Sequence, residues 1–158
     1  MNTYFSVIAK GSTLHRILDG VADITNILLI VWLLAVLVVG TQRKILTGRA
    51  WLATALSIAL VYIVKTVDGK LDLWERIDGN YSTHSALAAA LAISLIFLDR
   101  PRRFLALGIF IAYEALIVLL GFHSILDLVS TLALLMPLIW LCHFCIERRR
   151  AVSAAGVL

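Results

Sequence analysis

Charged residues are scarce in this sequence. Only 15% of the 158 residues are Asp, Glu, Lys or Arg, whereas soluble domains carry about 25%. Hydrophobic types make up 61%, and a chain of this length buries only about two-thirds of the surface that its unfolded form exposes. A soluble globular domain and a disordered chain are therefore excluded, because neither keeps so much apolar surface away from water.

Cysteine and proline are also rare, with two residues of each. Cys142 and Cys145 lie in one short segment, so the sequence has no disulfide framework. They flank His143, but a tetrahedral zinc site needs a fourth ligand, and no further Cys or His lies nearby. We therefore expect buried or lipid-facing thiols and no metal site, and the composition leaves an integral membrane protein.

Long apolar runs fill most of the chain. A helix needs about 20 apolar residues to cross a bilayer, and five runs approach this length, at residues 21–40, 51–66, 84–98, 104–120 and 124–146. Backbone inside a bilayer must satisfy its own hydrogen bonds, which predicts helices. The expected fold is all-α, an integral membrane bundle of about five transmembrane helices in one domain over residues 21–150, with a cytoplasmic tail at residues 151–158.

The first twenty residues differ from these runs. Their apolar residues fall at helical spacing, and Ser12 or Thr13 is suited to cap a helix. This pattern predicts an N-terminal interfacial amphipathic helix over residues 1–20, with a disordered tail as the alternative. A cleavable signal peptide is not expected, because the long apolar run starts late. Asp23 and Asn26 open the first span; we interpret them as ordinary polarity at a helix start, with a position facing the site as the alternative.

Lysine and arginine are distributed unevenly between the loops. Nine lie in the segments 43–49, 100–103 and 148–150, and five lie in the segments on the opposite side. The positive-inside rule then places the nine in the cytoplasm, the N-terminus outside and the C-terminus inside. The basic residues behind the net charge of +4 lie in short clusters between the apolar runs, as in a multi-span membrane protein. No nucleic-acid partner is therefore expected.

Two histidines stand at the outer ends of predicted helices. His84 follows Ser82 and Thr83 at the start of the third span, and His123 precedes the fifth. The topology is predicted from the arginines and the apolar runs alone. That it places both histidines at one membrane face is therefore an independent indication of a site. Asp127 follows His123 by four residues, which places it on the same helix face and about 6 Å deeper.

Each histidine motif has a catalytic and a structural interpretation. An acid inside a span is costly without a partner, and Asp127 next to His123 would leave the far imidazole nitrogen a better base or nucleophile. Alternatively, Asp127 is a helix cap favoured by the dipole. Ser82 and Thr83 fit an N-cap of the third span, and the backbone N–H groups around His84 would then be free to bind an anion. The alternative is that the two residues form a simple helix cap without a binding role.

Together the two motifs resemble the type 2 phosphatidic acid phosphatase (PAP2) superfamily of membrane lipid phosphatases. The segment from Ser82 to Ser85 is similar to the family's Ser-Gly-His motif, and the segment from Gly121 to Asp127 to its Gly-x-His-x-x-x-Asp motif. Thr83 replaces the family's Gly, Tyr81 its preceding Pro, and Ile117 an Arg six residues before the second His. The lack of this Arg is also similar to the sphingomyelin-synthase-like branch, which transfers a phosphoalcohol head group between lipids.

The resemblance implies a metal-independent and cofactor-free hydrolase acting on a lipid phosphomonoester or diphosphate at the outer membrane face. His123 would be the nucleophile that forms a phosphohistidine, Asp127 would orient it, and His84 would protonate the leaving oxygen. The substrate's phosphate would be bound by the cap residues Ser82, Thr83 and Ser85.

The Lys and Arg residues that would bind the substrate's phosphate are less clearly identified by the sequence. The family's Lys-x6-Arg-Pro motif is absent, but Lys65 lies where its Lys is expected, and Lys70 and Arg76 follow in the loop. We expect these three to bind the substrate's phosphate, with ordinary headgroup contact as the alternative. Glu114, inside the fourth span, is either functional or a polar clamp between helices. Head-group transfer and non-catalytic lipid binding remain the rival functions.

Overall fold

The computed structural model describes residues 12–155, and side chains over residues 12–146. Five α-helices account for most of this part of the chain: α1 (Thr13–Gln42), α2 (Gly48–Leu71), α3 (Thr83–Leu98), α4 (Arg103–Leu119) and α5 (Ile125–Ala155). Short 3₁₀ helices, Glu75–Ile77 and Arg100–Arg102, precede α3 and α4. No strand occurs among the described residues, which confirms the predicted all-α bundle.

Three helices are long and apolar enough to cross a membrane. They are α1 with 30 residues, α2 with 24, and the part of α5 from Ile125 to Ile146 with 22. These helices support a multi-pass membrane protein. α3 and α4 are apolar over 16 and 17 residues, at the lower limit of about 17 for a span. Five spans, and the sides of the membrane, therefore stay predictions.

The N-terminal helix is longer than expected. Ser12 caps α1, and its hydroxyl accepts a hydrogen bond of 3.1 Å from the N–H of His15. Residues 13–20 then continue into the span without a break, because no proline interrupts them and Gly20 costs only about 1 kcal/mol in a helix. A separate interfacial helix is thus not confirmed for residues 13–20. Residues 1–11 lie outside the described part, as do residues 156–158 of the tail.

α3 forms the centre of the bundle and packs against each of the other four helices. Its alanines are buried to 1% exposure or less: Ala86, Ala88, Ala89, Ala90 and Ala92. Such small side chains let neighbouring helices approach closely. The N-terminal end of α3, which carries His84, is therefore held from several sides.

The segment between α2 and α3, residues 72–82, is fixed by a buried tryptophan. The backbone N–H of Trp74 donates to Asp68 at 3.0 Å, and its indole N–H donates to the hydroxyl of Ser130 at 2.9 Å. The Tyr81 ring packs edge-on against the indole, with centroids 4.9 Å apart. This segment, called the α2–α3 loop below, thus docks on α5 before α3 begins.

Candidate active site

A cavity of about 400 Å³ lies at the end of the bundle where α1, α3 and α5 begin. His84, in the first turn of α3, and His123, in the turn before α5, both line it. The rest of the wall comes from α1, α3, α4 and the turn after α4: Asp19, Ala22, Asp23, Asn26, Leu87, Tyr113, Ile117 and Phe122. The structure therefore brings the two predicted catalytic histidines, 39 residues apart in the sequence, to one cavity.

His123 faces a buried carboxylate. Its Nδ1 lies 3.6 Å from Oδ2 of Asp127, whose side chain is 1% exposed. This distance is slightly longer than an N–H···O hydrogen bond, and Nδ1 has no hydrogen-bond partner among the described residues. Catalytic hydrogen bonds are often long without substrate and tighten when it binds. Because Nδ1 faces Asp127, Nε2 is the nitrogen available for chemistry.

Asp127 also caps α5. Its Oδ2 accepts from the N–H of Ser124 at 2.8 Å, and the Ser124 hydroxyl accepts from the N–H of Asp127 at 3.1 Å. This reciprocal pair is a capping box with Asp in place of Glu, so the predicted helix cap is confirmed. The cap and the contact with His123 are compatible, since the same carboxylate makes both.

The α2–α3 loop is bound by the same turn of α5. Oδ1 of Asp127 accepts from the N–H of Asn80 at 2.7 Å, and one turn later the Thr131 hydroxyl accepts from the N–H of Ser82 at 3.2 Å. Asp127 and Thr131 are both fully buried. α5 therefore positions His123 directly and His84 through the backbone that leads into α3.

The predicted N-cap of α3 is confirmed at Ser82. Its hydroxyl accepts from the N–H of Ser85 at 3.3 Å and donates to the Ser85 hydroxyl at 2.8 Å. Both serines are fully buried, and Thr83 is half-buried. None of the three is among the residues that line the cavity. Phosphate binding by Ser82, Thr83 and Ser85 thus stays a prediction, and the two serines serve the cap here.

The three predicted cations lie away from the cavity wall. Lys65, Lys70 and Arg76 are exposed, and none of them lines the cavity. Their contact with a phosphate stays a prediction. Instead, the wall carries the carboxyl groups of Asp19 and Asp23.

α1 supplies cavity residues that were not predicted as site residues. Asp19, Asp23 and Asn26 follow at intervals of four and three, which places them on one helix face. That spacing was the available signal, although the face that α1 turns inward depends on packing against α3 and α4. Asn26 also ties α1 to α4, since its amide donates to the Tyr113 hydroxyl at 2.9 Å.

α4 places one notable acid near the cavity. Glu114 is 6% exposed, and Ser85 of α3 is the polar side chain next to its carboxyl group. Its neighbour Tyr113 lines the cavity, as does Ile117 one turn later. Ile117, six residues before His123, stands where the resemblance leads one to expect an Arg, and it lines the cavity.

The environment of His123 favours its neutral form. Burial lowers the pKa of this imidazole below its usual 6.5. The carboxylate of Asp127 opposes the shift, whereas the neighbouring His84 adds to it. A lowered pKa leaves His123 uncharged at neutral pH, which is the state that a nucleophile requires.

Metal-ligating residues are dispersed. Over residues 12–146 no group of three His, Cys, Asp or Glu side chains is arranged to hold a metal ion. Cys142 and Cys145 are free thiols, and His143 between them is fully buried, with Nε2 2.9 Å from the Ser94 hydroxyl. The cavity wall carries the imidazoles of His84 and His123 and the carboxyl groups of Asp19 and Asp23.

Comparison with known proteins adds no relative. The chain matches no family model, no curated protein and no solved structure. Its likeness to the type 2 phosphatidic acid phosphatases therefore rests on the two histidine motifs. Function is argued below from those motifs and from the cavity that their histidines line.

Proposed function

We propose that this protein is a metal-independent membrane phosphatase that hydrolyses a lipid phosphomonoester or diphosphate through a phosphohistidine. The observation that carries the proposal is the shared cavity of His84 and His123, with Asp127 behind His123. The cavity lies at one end of helices long enough to cross a membrane. A lipid phosphate in the headgroup layer, at the outer face by the arginine distribution, would reach it while the tails stay in the bilayer.

The first step forms the phosphohistidine. Nε2 of neutral His123 forms a bond to phosphorus, and the bond between phosphorus and the leaving lipid or phosphate oxygen breaks. His84, protonated, gives its proton to that oxygen. The phosphorylated imidazole carries a positive charge, and Asp127 stabilises this charge from 3.6 Å.

The second step releases phosphate. Water attacks phosphorus, the bond between phosphorus and Nε2 breaks, and His84, now neutral, accepts the proton of the water. This returns His123 to the neutral imidazole and His84 to its protonated form. Phosphoryl transfer depends mainly on positioning and charge stabilisation, and the hydrogen bonds from Asn80 and Ser124 to Asp127 provide the positioning.

The charge of the cavity wall favours a second candidate, transfer of a phosphoalcohol head group to a lipid alcohol. Asp19 and Asp23 line the cavity, whereas Lys65, Lys70 and Arg76 do not. A phosphomonoester dianion is repelled by these carboxylates more strongly than a phosphodiester with one negative charge. In this reaction the lipid alcohol would take the place of water in the second step.

The product distinguishes the two reactions. Detergent-purified protein would be incubated with a panel of lipid phosphates in the presence of chelator, and free phosphate would be measured for wild type, His123→Ala and Cys145→Ser. Hydrolysis predicts chelator-resistant release that His123→Ala abolishes and Cys145→Ser retains. Transfer predicts a new phospholipid with almost no free phosphate. Neither product from any lipid would contradict both reactions and favour non-catalytic lipid binding.

A further inference from the structure

An apolar groove borders the histidine cavity at Leu87. It has a volume of about 350 Å³ and lies between α1, α2 and α3. Leu87 of α3 lines both the cavity and the groove. The other groove residues are almost all apolar, among them Leu34, Ala55 and Leu91. The polar cavity and the apolar groove therefore adjoin at Leu87.

One face of α1 runs along both spaces. Asp19, Asp23 and Asn26 line the cavity, and Ile30 and Leu37 follow on the same face and line the groove. The apolar part of this face, from Ile30 to Leu37, is about 10 Å long at 1.5 Å per residue. Since the hydrocarbon core of a bilayer is about 30 Å thick, this part covers about two-thirds of the depth of one leaflet.

α3 shows the same change from polar to apolar. His84 lines the cavity, Leu87 lies at the junction, and Leu91 lines the groove. The groove is also accessible from the side, because α1 packs mainly on α3 and has few contacts with α2. Two helices thus present a polar end and an apolar continuation in the order in which a lipid presents its head group and its chain.

We propose that the groove between α1, α2 and α3 binds one hydrocarbon chain of the lipid whose phosphate occupies the histidine cavity. This inference rests on the proposed function and extends it to the tail of the substrate. The groove then contributes to affinity and aligns the phosphorus with His123, because the chain and the phosphate belong to one molecule. The lipid enters sideways between α1 and α2.

A bulky side chain in the groove tests this assignment. Ala55→Trp fills the groove from α2, and Ala133→Trp is the matched control on an exposed position of α5 that lines neither space. We expect Ala55→Trp to lower kcat/KM for dioleoyl phosphatidic acid at least tenfold, and for dibutyryl phosphatidic acid less than twofold. Ala133→Trp should change neither value by more than twofold. An equal loss with both substrates, or no loss with either, would overturn the assignment.

A binding measurement is independent of turnover. His123→Ala protein in detergent would be photolabelled with a phosphatidic acid that carries a diazirine in the middle of one acyl chain, and the adducts would be mapped by mass spectrometry. The groove predicts adducts within residues 30–37 and 51–62 that excess dioleoyl phosphatidic acid suppresses. Adducts spread over the exposed faces of α4 and α5, or resistant to competition, would overturn it. Groove adducts without hydrolysis or transfer by wild type would contradict the proposed function alone.

Discussion

The backbone N–H of Asn80 donates a hydrogen bond of 2.7 Å to the carboxylate of Asp127. This contact joins the segment that leads to His84 with the turn of helix that follows His123. The same carboxylate accepts from Ser124 and faces the His123 ring. Asp127 therefore determines the relative position of the two histidines as well as the orientation of one of them.

Asp127→Asn should impair both catalysis and stability. Each carboxylate oxygen accepts a hydrogen bond from a backbone N–H group, of Asn80 or of Ser124. The NH₂ of the new amide must therefore face one of these N–H groups, and the lost hydrogen bond costs about 1–3 kcal/mol. The negative charge next to the phosphohistidine is lost as well. We expect the rate of product formation to fall at least 100-fold and Tm to fall by several degrees, measured by product assay and thermal unfolding in the same detergent.

Ser124→Ala is the matched control for this change. It removes the hydroxyl that caps the N–H of Asp127, at a cost of about 1 kcal/mol, but leaves the charge beside His123. Its rate should stay within a few-fold of wild type although Tm falls. Equal rates for Ser124→Ala and Asp127→Asn would mean that Asp127 acts as a cap alone.

The pH dependence of kcat/KM should report the environment of His123. The nucleophile must be neutral, so the rate rises with pH through the pKa of His123 in the free enzyme. Burial lowers this pKa below 6.5, which predicts an acidic limb with its midpoint below 6.5. The charge of Asp127 raises the pKa, so Asp127→Asn should move the midpoint to still lower pH. A midpoint above 6.5, or movement to higher pH, would contradict this account.

The helices and the cap positions could be predicted because local sequence encodes them. The length of the apolar runs predicts helices, and Ser82 and Asp127 mark helix starts by side-chain chemistry alone. The surroundings of the site depend on contacts distant in sequence. The backbone N–H of Ser82, for example, donates to the Thr131 hydroxyl, 49 residues away. Asp19 reaches the cavity because α1 continues through the segment predicted as interfacial.

Contacts distant in sequence also explain why the predicted phosphate-binding cations do not line the cavity. Lys65 and Arg76 were placed near the site by their position along the chain, which does not determine the direction of their side chains. Docking of Trp74 against α5 fixes the path of the α2–α3 loop, and on this path Arg76 does not line the cavity. Lys65 lies in α2, which contributes no residue to the cavity wall. No local pattern in the sequence predicts that docking.

Gly79→Ala should disturb the site without changing any reacting group. A Cβ at this position would lie 3.1 Å from Oδ1 of Asp127 and 3.5 Å from the carbonyl oxygen of Trp74. The carboxylate or the loop must shift, and overpacking of this kind costs about 1–3 kcal/mol. We expect lower Tm and a rate reduced about tenfold. Gly69→Ala is the control, because a Cβ there meets nothing within 4 Å, and it should keep the wild-type rate. Equal rates for the two variants would exclude close packing at Gly79 as a determinant of activity.

Ile117→Arg tests the cavity's charge directly. Ile117 lines the cavity and is 4% exposed, so an arginine here would bring a guanidinium toward a bound phosphate, a geometry that suits bidentate binding. It would also offset the charge of Asp19 and Asp23. We expect KM for dioleoyl phosphatidic acid to fall several-fold, whereas Ile117→Gln, polar but uncharged, should not lower it. Tm should fall for both variants because an apolar side chain is lost from the wall. A higher KM in the arginine variant, at unchanged KM in the glutamine variant, would contradict the placement of the substrate's phosphate next to Ile117 in this cavity.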